Sequence, residues 1–536
     1  MDPQTEWWRG AVLYQIYPRS FQDSNGDGVG DLRGIIQRLD HVASLGVDGV
    51  WLSPVFRSPM TDFGYDVSDY CDIDPLFGTL SDFDDLIAAC HARGLKLIID
   101  QVYSHTSDAH AWFTESRADR DNPKADWYVW ADPKPDGSPP NNWQAVFGGQ
   151  AWTWDSRRRQ YYLHNFLTSQ PDLNLHNPAV QDAILDVARF WLDRGVDGFR
   201  LDVADFYTHD RLLRDNPPSG VTDTPKPWAM QRHLYNIDQP ETLPFIERLR
   251  AVTDEKPGRM MVAELASDQS LKCMAEYTQG NHRFHTAYSF VFLGPKFGAT
   301  FVKRQVELLA AEGPDAWPSW AFSNHDVVRV ATRWGAAKPR QFLKTLIALL
   351  TTLRGTAFLY QGEELGLPQA DVPFERLQDP DGIAFWPGYK GRDGCRTPMP
   401  WTATAAQAGF SPVEPWLPVD AAHLPLSVDQ QDTDPDSLLT FTRRWLAWRR
   451  TQGVLKTGPL TFIDLMGRTL AFIRGDGPDR LLFLFNLGDE DTRTALPAGA
   501  WYSPFDLGGV ADEGGVTLPP GAGFVARFEA PETNSL

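Results

Sequence analysis

Val196-Asp-Gly-Phe-Arg-Leu-Asp-Val203 is an apolar run that carries an Arg and an Asp two residues apart, on the same face of an extended strand. The segment before it, Pro178–Arg194, repeats its apolar residues at intervals of three and four, the pattern of a helix with one buried face. The same helix-then-run figure recurs in both directions along the chain. Ala11–Tyr17, Val47–Leu52 and Leu95–Val102 precede the quoted run, with a helical pattern over Asp82–Ala92 ahead of the third. Arg259–Leu265, Phe284–Ser289, Trp317–Ser323 and Ala357–Gln361 follow it. Continuous apolar strands between helices imply parallel strands covered on both faces, and eight of them imply closure into a barrel.

Two stretches break the figure. Between Tyr103 and Asp172 the chain becomes rich in Trp, Pro and Gly, most of all over Asn141–Trp154, which reads as an excursion after the third strand. From about Leu455 the helical patterns stop, and Thr469–Arg474, Arg480–Asn486 and Gly523–Phe528 suggest antiparallel strands. The expected fold class is therefore α/β: a (β/α)8 TIM barrel with an inserted domain after strand 3 and a C-terminal antiparallel β-sheet domain. The expected division is 1–103 and 172–454 for the barrel, 104–171 for the insert and 455–536 for the C-terminal sheet.

The composition narrows the partners. With 50 basic against 70 acidic residues, a net charge of −20 works against nucleic acid and anionic lipid, so neither a nucleic acid nor a membrane is expected. Aromatic residues reach 12 %, including 20 Trp; most fill cores, and some suit the faces of sugars. Cys71, Cys90, Cys273 and Cys395 lie far apart with no C-x-x-C pair, so they are read as reduced thiols. Met1-Asp-Pro-Gln-Thr-Glu-Trp-Trp8 has no basic stretch leading into an apolar one, and no run of about 18 apolar residues occurs. A cytoplasmic location is expected. Oligomeric state is not readable.

In such a barrel the chemistry gathers at the C-terminal ends of the strands. Four runs end suggestively there: Asp100-Gln-Val-Tyr-Ser-His105, Gly198-Phe-Arg-Leu-Asp202, Val262-Ala-Glu264 and Phe322-Ser-Asn-His-Asp326. An Asp and a Glu on neighbouring strand ends, with Arg and His beside them, make the constellation that splits acetals, one carboxylate attacking while the other donates a proton. Any one of these residues taken alone reads more simply as a helix cap.

Together, in order, the four segments resemble the four short signatures of the alpha-amylase family, glycoside hydrolase family 13. The resemblance implies that Asp202 is the nucleophile, Glu264 the general acid/base and Asp326 the carboxylate that holds the sugar's 2- and 3-hydroxyls. It also implies that Arg200 aims Asp202 and that His105 and His325 hydrogen-bond the sugar being cleaved. On this reading Glu264 has a raised pKa and Arg200 keeps that of Asp202 low. The implied reaction is retaining, through a covalent glucosyl intermediate resolved by water or by an acceptor hydroxyl.

Trp8–Arg19, Asp62-Phe-Gly-Tyr65-Asp66 and Gly391-Arg-Asp-Gly-Cys-Arg-Thr-Pro-Met-Pro-Trp401 look like the exo-acting alpha-glucosidase and oligo-1,6-glucosidase branch. There the matches to Asp62 and Arg392 close the pocket around the terminal glucose and the match to Tyr65 stacks under its ring. Phe147 and Phe166 resemble pocket-wall aromatics. Val203, directly after the nucleophile, goes with alpha-1,6 cleavage in that branch. Phe206–Pro218 and His233–Pro240 instead look like bacterial alpha-glucosidases that prefer maltose and transfer glucose to alcohols. We favour the longer segments, so the expected substrate is a short maltose-type alpha-1,4-glucoside, with an alcohol as possible acceptor and isomaltose-type cleavage as the alternative. Non-catalytic transporter subunits share the fold, but they carry a membrane span and lack the catalytic carboxylates.

Asp23-Ser-Asn25-Gly-Asp27-Gly-Val29-Gly-Asp31 puts oxygen ligands at every second position, as in an EF-hand loop, with Gly34 where the bidentate Glu would stand. A solvated acidic turn has the same spacing. The resemblance implies one structural divalent cation, Ca or Mg, with the Val29 carbonyl among its ligands, and no organic cofactor.

Overall fold

The computed structural model describes residues 6–336, 338–465 and 468–529. The reading of the extreme N-terminus falls partly on Met1–Thr5, outside the described residues, as do the last residues of the expected C-terminal domain.

The eight barrel strands are β1 (Val12–Ile16), β2 (Gly49–Leu52), β3 (Lys96–Gln101), β4 (Gly198–Leu201), β5 (Met260–Leu265), β6 (Thr286–Ser289), β7 (Ser319–Ala321) and β8 (Thr356–Tyr360). All pair in parallel, from β6 back through β5, β4, β3, β2 and β1 to β8 and β7. A parallel bridge from Ala287 to Pro318, and a hydrogen bond between Thr286 and Ser319 hydroxyls, bring β6 and β7 together and close the ring. Every strand residue is buried except Lys96, as strands covered on both faces require. Leu13, Trp51, Ile98, Val262, Tyr288 and Phe358 fill the interior, while alternate residues such as Tyr14, Leu52, Ile99 and Leu201 pack outward among the core residues of the surrounding helices.

Most expected runs overshoot the strands by a residue or two, because a run stays apolar where the chain leaves the sheet but remains buried; the last, Ala357–Gln361, starts one residue late, the strand beginning at Thr356. Trp317–Ser323 contains only Ser319–Ala321 as strand. The helix expected at Asp82 begins at Leu80, since Thr79 caps it and Asp82 closes a capping box from the third position. Pro178–Arg194 is helical as read, capped by Asn177 and stopped by Gly195 in the left-handed region (φ 112°).

After β3 the chain leaves the barrel and forms a three-stranded antiparallel sheet (Trp130–Ala131, Trp152–Asp155, Gln160–Leu163) over a small core of Trp143, Trp152 and Leu163. The C-terminal region packs a five-stranded against a three-stranded antiparallel sheet, with Leu482, Leu484, Val516, Leu518 and Phe524 between them. Its guanidinium Arg474 is buried and bonds the carbonyl of Thr352, at the end of the helix Arg340–Thr352, besides those of Val454, Leu455 and Gly458. Among the described residues no helix is long and apolar enough to cross a membrane, and all four cysteines are free thiols.

Candidate active site

The register of three strands builds the centre. Arg200 on β4 lies opposite Asp100 on β3 and Val262 on β5, and Glu264 lies opposite Tyr288 on β6. The period of two turns Arg200 and Asp202 to the same side. One guanidinium then meets three carboxylates: Asp100 at 2.7 Å, Asp202 at 2.6 Å and Glu264 at 2.5 Å. The Tyr288 hydroxyl donates to Glu264 Oε1 at 2.8 Å and accepts from Arg200. Directly after Asp202 the chain turns sharply, placing the β-branched Val203 in the left-handed region (φ 32°, ψ 57°), and its N–H approaches Glu264 Oε2 at 3.4 Å.

Burial pushes Asp202 and Glu264 each up to about 7, with Arg200 pulling in the other direction. The expectation for Glu264 stands, but that of a low Asp202 does not. Arg200 is divided among three carboxylates and cannot offset the desolvation of each, so Asp202 is raised as well. Asp326 differs. Burial opposes its ionisation too, yet Arg396 at 2.9 Å and Arg392 at 3.4 Å hold it well below the usual carboxylate range. His325 beside it is pushed down by burial and serves as a neutral ring.

A cavity of about 230 Å³ opens onto these groups. Asp202, Glu264 and Asp326 line it together with Asp62, Tyr65, His105, Phe147, Phe166 and Arg392. Asp62 and Arg392 form a buried pair at 2.9 Å rather than a surface one. Asp379 grips the same guanidinium at 2.7 Å, and Gln170 donates to Asp62 Oδ2 at 3.1 Å. Arg392 also lies 4.8 Å from the Phe147 ring centroid, and Phe166 packs on His105 at 5.1 Å. Burial pushes His105 down to about 4, leaving a neutral ring able to exchange hydrogen bonds with hydroxyls.

His325 stands apart from the other expected contacts. It stacks on Tyr65 (5.3 Å, 9°), meets the Tyr65 hydroxyl at 2.5 Å and takes a contact from Gln15 at 2.8 Å, so in this structure it backs the Tyr65 ring. Two further members of the centre lie inside recognisable motifs, Arg396 within Gly391–Trp401 and Asp100 at the head of the first signature, without a role implied for either by the sequence. Tyr288 and Asp379 carried no signal of their own.

The acidic loop folds on itself. Asp23 Oδ1 accepts from the N–H groups of Asn25 and Gly26, and its Oδ2 from Gly28 N–H and the Ser411 hydroxyl. Asp27 accepts from Val29 N–H and the Asn25 amide. Asp31 caps the helix Leu32–Ser44. Among the described residues no three His, Cys, Asp or Glu stand grouped as a metal cage. The donor set of Asp23, Asn25, Asp27, Asp31 and the Val29 carbonyl is all oxygen, the kind a hard cation takes; both Asp27 oxygens and Asp31 Oδ2 have one donor each and keep a lone pair, whereas each Asp23 oxygen already accepts two.

The model of the alpha-amylase catalytic domain matches residues 15–458. The chain belongs to the alpha-amylase family. It is a glycoside hydrolase and falls with the family's alpha-glucosidase and oligo-1,6-glucosidase branch. It is 52 % identical over 98 % of both chains to a probable alpha-glucosidase of Rhizobium meliloti. It is 36 % identical to an oligo-1,6-glucosidase of Heyndrickxia coagulans, over 96 % of this chain and 98 % of that one. Among solved structures, an alpha-glucosyl transfer enzyme, XgtA, superposes with a TM-score of 0.94 at 54 % identity, covering 98 % of this chain and 99 % of that one. The family match and the relatives named as glucosidases set the non-catalytic reading aside, and Asp202, Glu264 and Asp326 converge on one cavity.

Proposed function

We propose that this family member is a retaining, exo-acting alpha-glucosidase that takes one glucose from the non-reducing end of short alpha-glucosides, maltose-type alpha-1,4 links foremost. The observation that carries it is the cavity: three carboxylates at the strand ends, and a buried Asp62–Arg392–Asp379 group in the same wall. The buried group stands in the wall beside the carboxylates, which favours a chain end over a threaded chain. Asp202 attacks the anomeric carbon and forms the glucosyl ester while Glu264 protonates the departing oxygen; Glu264 then takes a proton from water or an acceptor hydroxyl that resolves the ester. The single guanidinium joining both carboxylates supports the close spacing, about 5 to 5.5 Å, that retention needs. Asp326, held ionised, binds ring hydroxyls and stabilises the developing positive charge, and Tyr65 supplies the stacking face.

Transfer to alcohols is part of the proposal, in keeping with the chain's likeness to XgtA, an alpha-glucosyl transfer enzyme. Isomaltose-type cleavage is the second reading, favoured by Val203 in the cavity wall. Product analysis on maltose, isomaltose, sucrose and trehalose, with and without an alcohol, tests both; release from isomaltose far ahead of maltose would reverse the order. The loop Asp23–Asp31 is proposed to hold one structural Ca or Mg, so chelation should lower the melting temperature, and an unchanged value with no metal found by elemental analysis would end that proposal. We also propose the domain limits 103/104, 171/172 and 454/455, tested by where limited proteolysis cuts. The cytoplasm is the proposed location, and recovery from the periplasm or medium on cell fractionation would contradict it.

A further inference from the structure

The cavity wall carries a charged pair that none of the roles above uses. Lys226 stands between Pro225 and Pro227 in the long connection from β4 to the helix Thr242–Asp254. Its backbone is extended (φ −99°, ψ 112°), and a proline on either side leaves it little else. Its ammonium meets Asp381 Oδ2 at 2.5 Å, on the short helix Pro380–Phe385 in the connection after β8, and lies 4.0 Å from the Tyr389 ring centroid. Two separate connections are thus joined at the cavity, which both residues line.

Lys226 is the solvent-side member of the pair. Lys226 and Tyr389 are half-buried, whereas Asp62 and Arg392 are buried. Among the described residues lining the cavity the cations are Lys226 and Arg392. The Arg392 fork is taken up by Asp62, Asp379 and Asp326. An ammonium has three donors, and Asp381 uses one. Asp381 is itself buried, and its Oδ1 has no partner among the described residues, so the carboxylate depends on Lys226 and in turn fixes it.

We infer that Lys226, with Asp381 as its positioning residue, determines specificity on the leaving-group and acceptor side. Its free donors bond the hydroxyl oxygens of a sugar or polyol there, and Trp228, stacked on His233, and Tyr389 line the cavity beside it. This rests on the glucosidase reading, and it selects hydroxylated groups over apolar or aryl groups of like size.

The test is a ratio taken within each protein: kcat/KM for the better of maltose and isomaltose, divided by kcat/KM for p-nitrophenyl alpha-glucoside. Taking the ratio cancels changes common to both substrates. K226M should lower it about ten-fold, the effect of losing one charged hydrogen bond, while K226R retains most of it. D381N, nearly isosteric, should lower it in the same direction and stands in should K226M fail to fold. A ratio within about two-fold of wild type in both K226M and D381N overturns the inference while the glucosidase reading survives. Wild type inert toward every alpha-glucoside overturns both.

Discussion

Arg200 brings one positive charge to Asp100, Asp202 and Glu264, all buried. Burial, with one guanidinium divided among three carboxylates, holds Asp202 and Glu264 near 7, so Glu264 can donate a proton and then take one back about neutral pH. The same burial acts against stability. A carboxyl whose folded pKa stands above its unfolded value binds protons that the unfolded chain has released, so stability falls as pH rises from about 4 to about 7. D202N should therefore lose turnover by about 10⁴-fold or more yet melt higher than wild type at pH 8, by about 1–3 kcal/mol, with the gain shrinking toward pH 5. Calorimetry at the two pH values checks it; a mutant less stable at pH 8 would contradict it. Asp62 is buried as well, with its pKa raised to about 6 by desolvation. Its loss leaves Arg392 with Asp379 and Asp326, so D62A should fold, and kcat/KM for maltose should fall about 10²-fold or more.

At the scale of elements, the signatures were legible because strand ends must present polar groups where a buried strand otherwise has none: Asp202, Glu264 and Asp326 stand out against their runs. The Asp62–Arg392 pair was found through motif resemblance, since nothing local joins residues 330 positions apart. Asp379, the third member, sits in no motif and is visible only once the chain is folded. Strand limits were blurred because burial continues past the last ladder bond, as at Trp317 and Phe322. The sharing of Arg200 needed the register of β3, β4 and β5, which hydrophobic runs do not encode. Arg474 belongs at this scale too: burial lowers its pKa to about 9, and it is held by carbonyls, one of them from the barrel helix Arg340–Thr352. R474M should loosen the C-terminal sheet from the barrel and lower stability by about 1–3 kcal/mol, read from chemical denaturation with little change in KM.

Over the whole molecule, the aromatic excess divides between cores such as Trp51, Trp191 and Trp445 and a few rings at the cavity. The barrel supplies the charged centre, the excursion after β3 supplies Phe147 and Phe166, and the connections after β4 and β8 meet at Lys226 and Asp381. The account turns on Asp202 as a nucleophile that inverts the anomeric carbon once before water or an acceptor inverts it again. Proton NMR of the glucose first released from maltose, recorded before mutarotation, tests that directly. The α-anomer is predicted; the β-anomer appearing first would contradict the account.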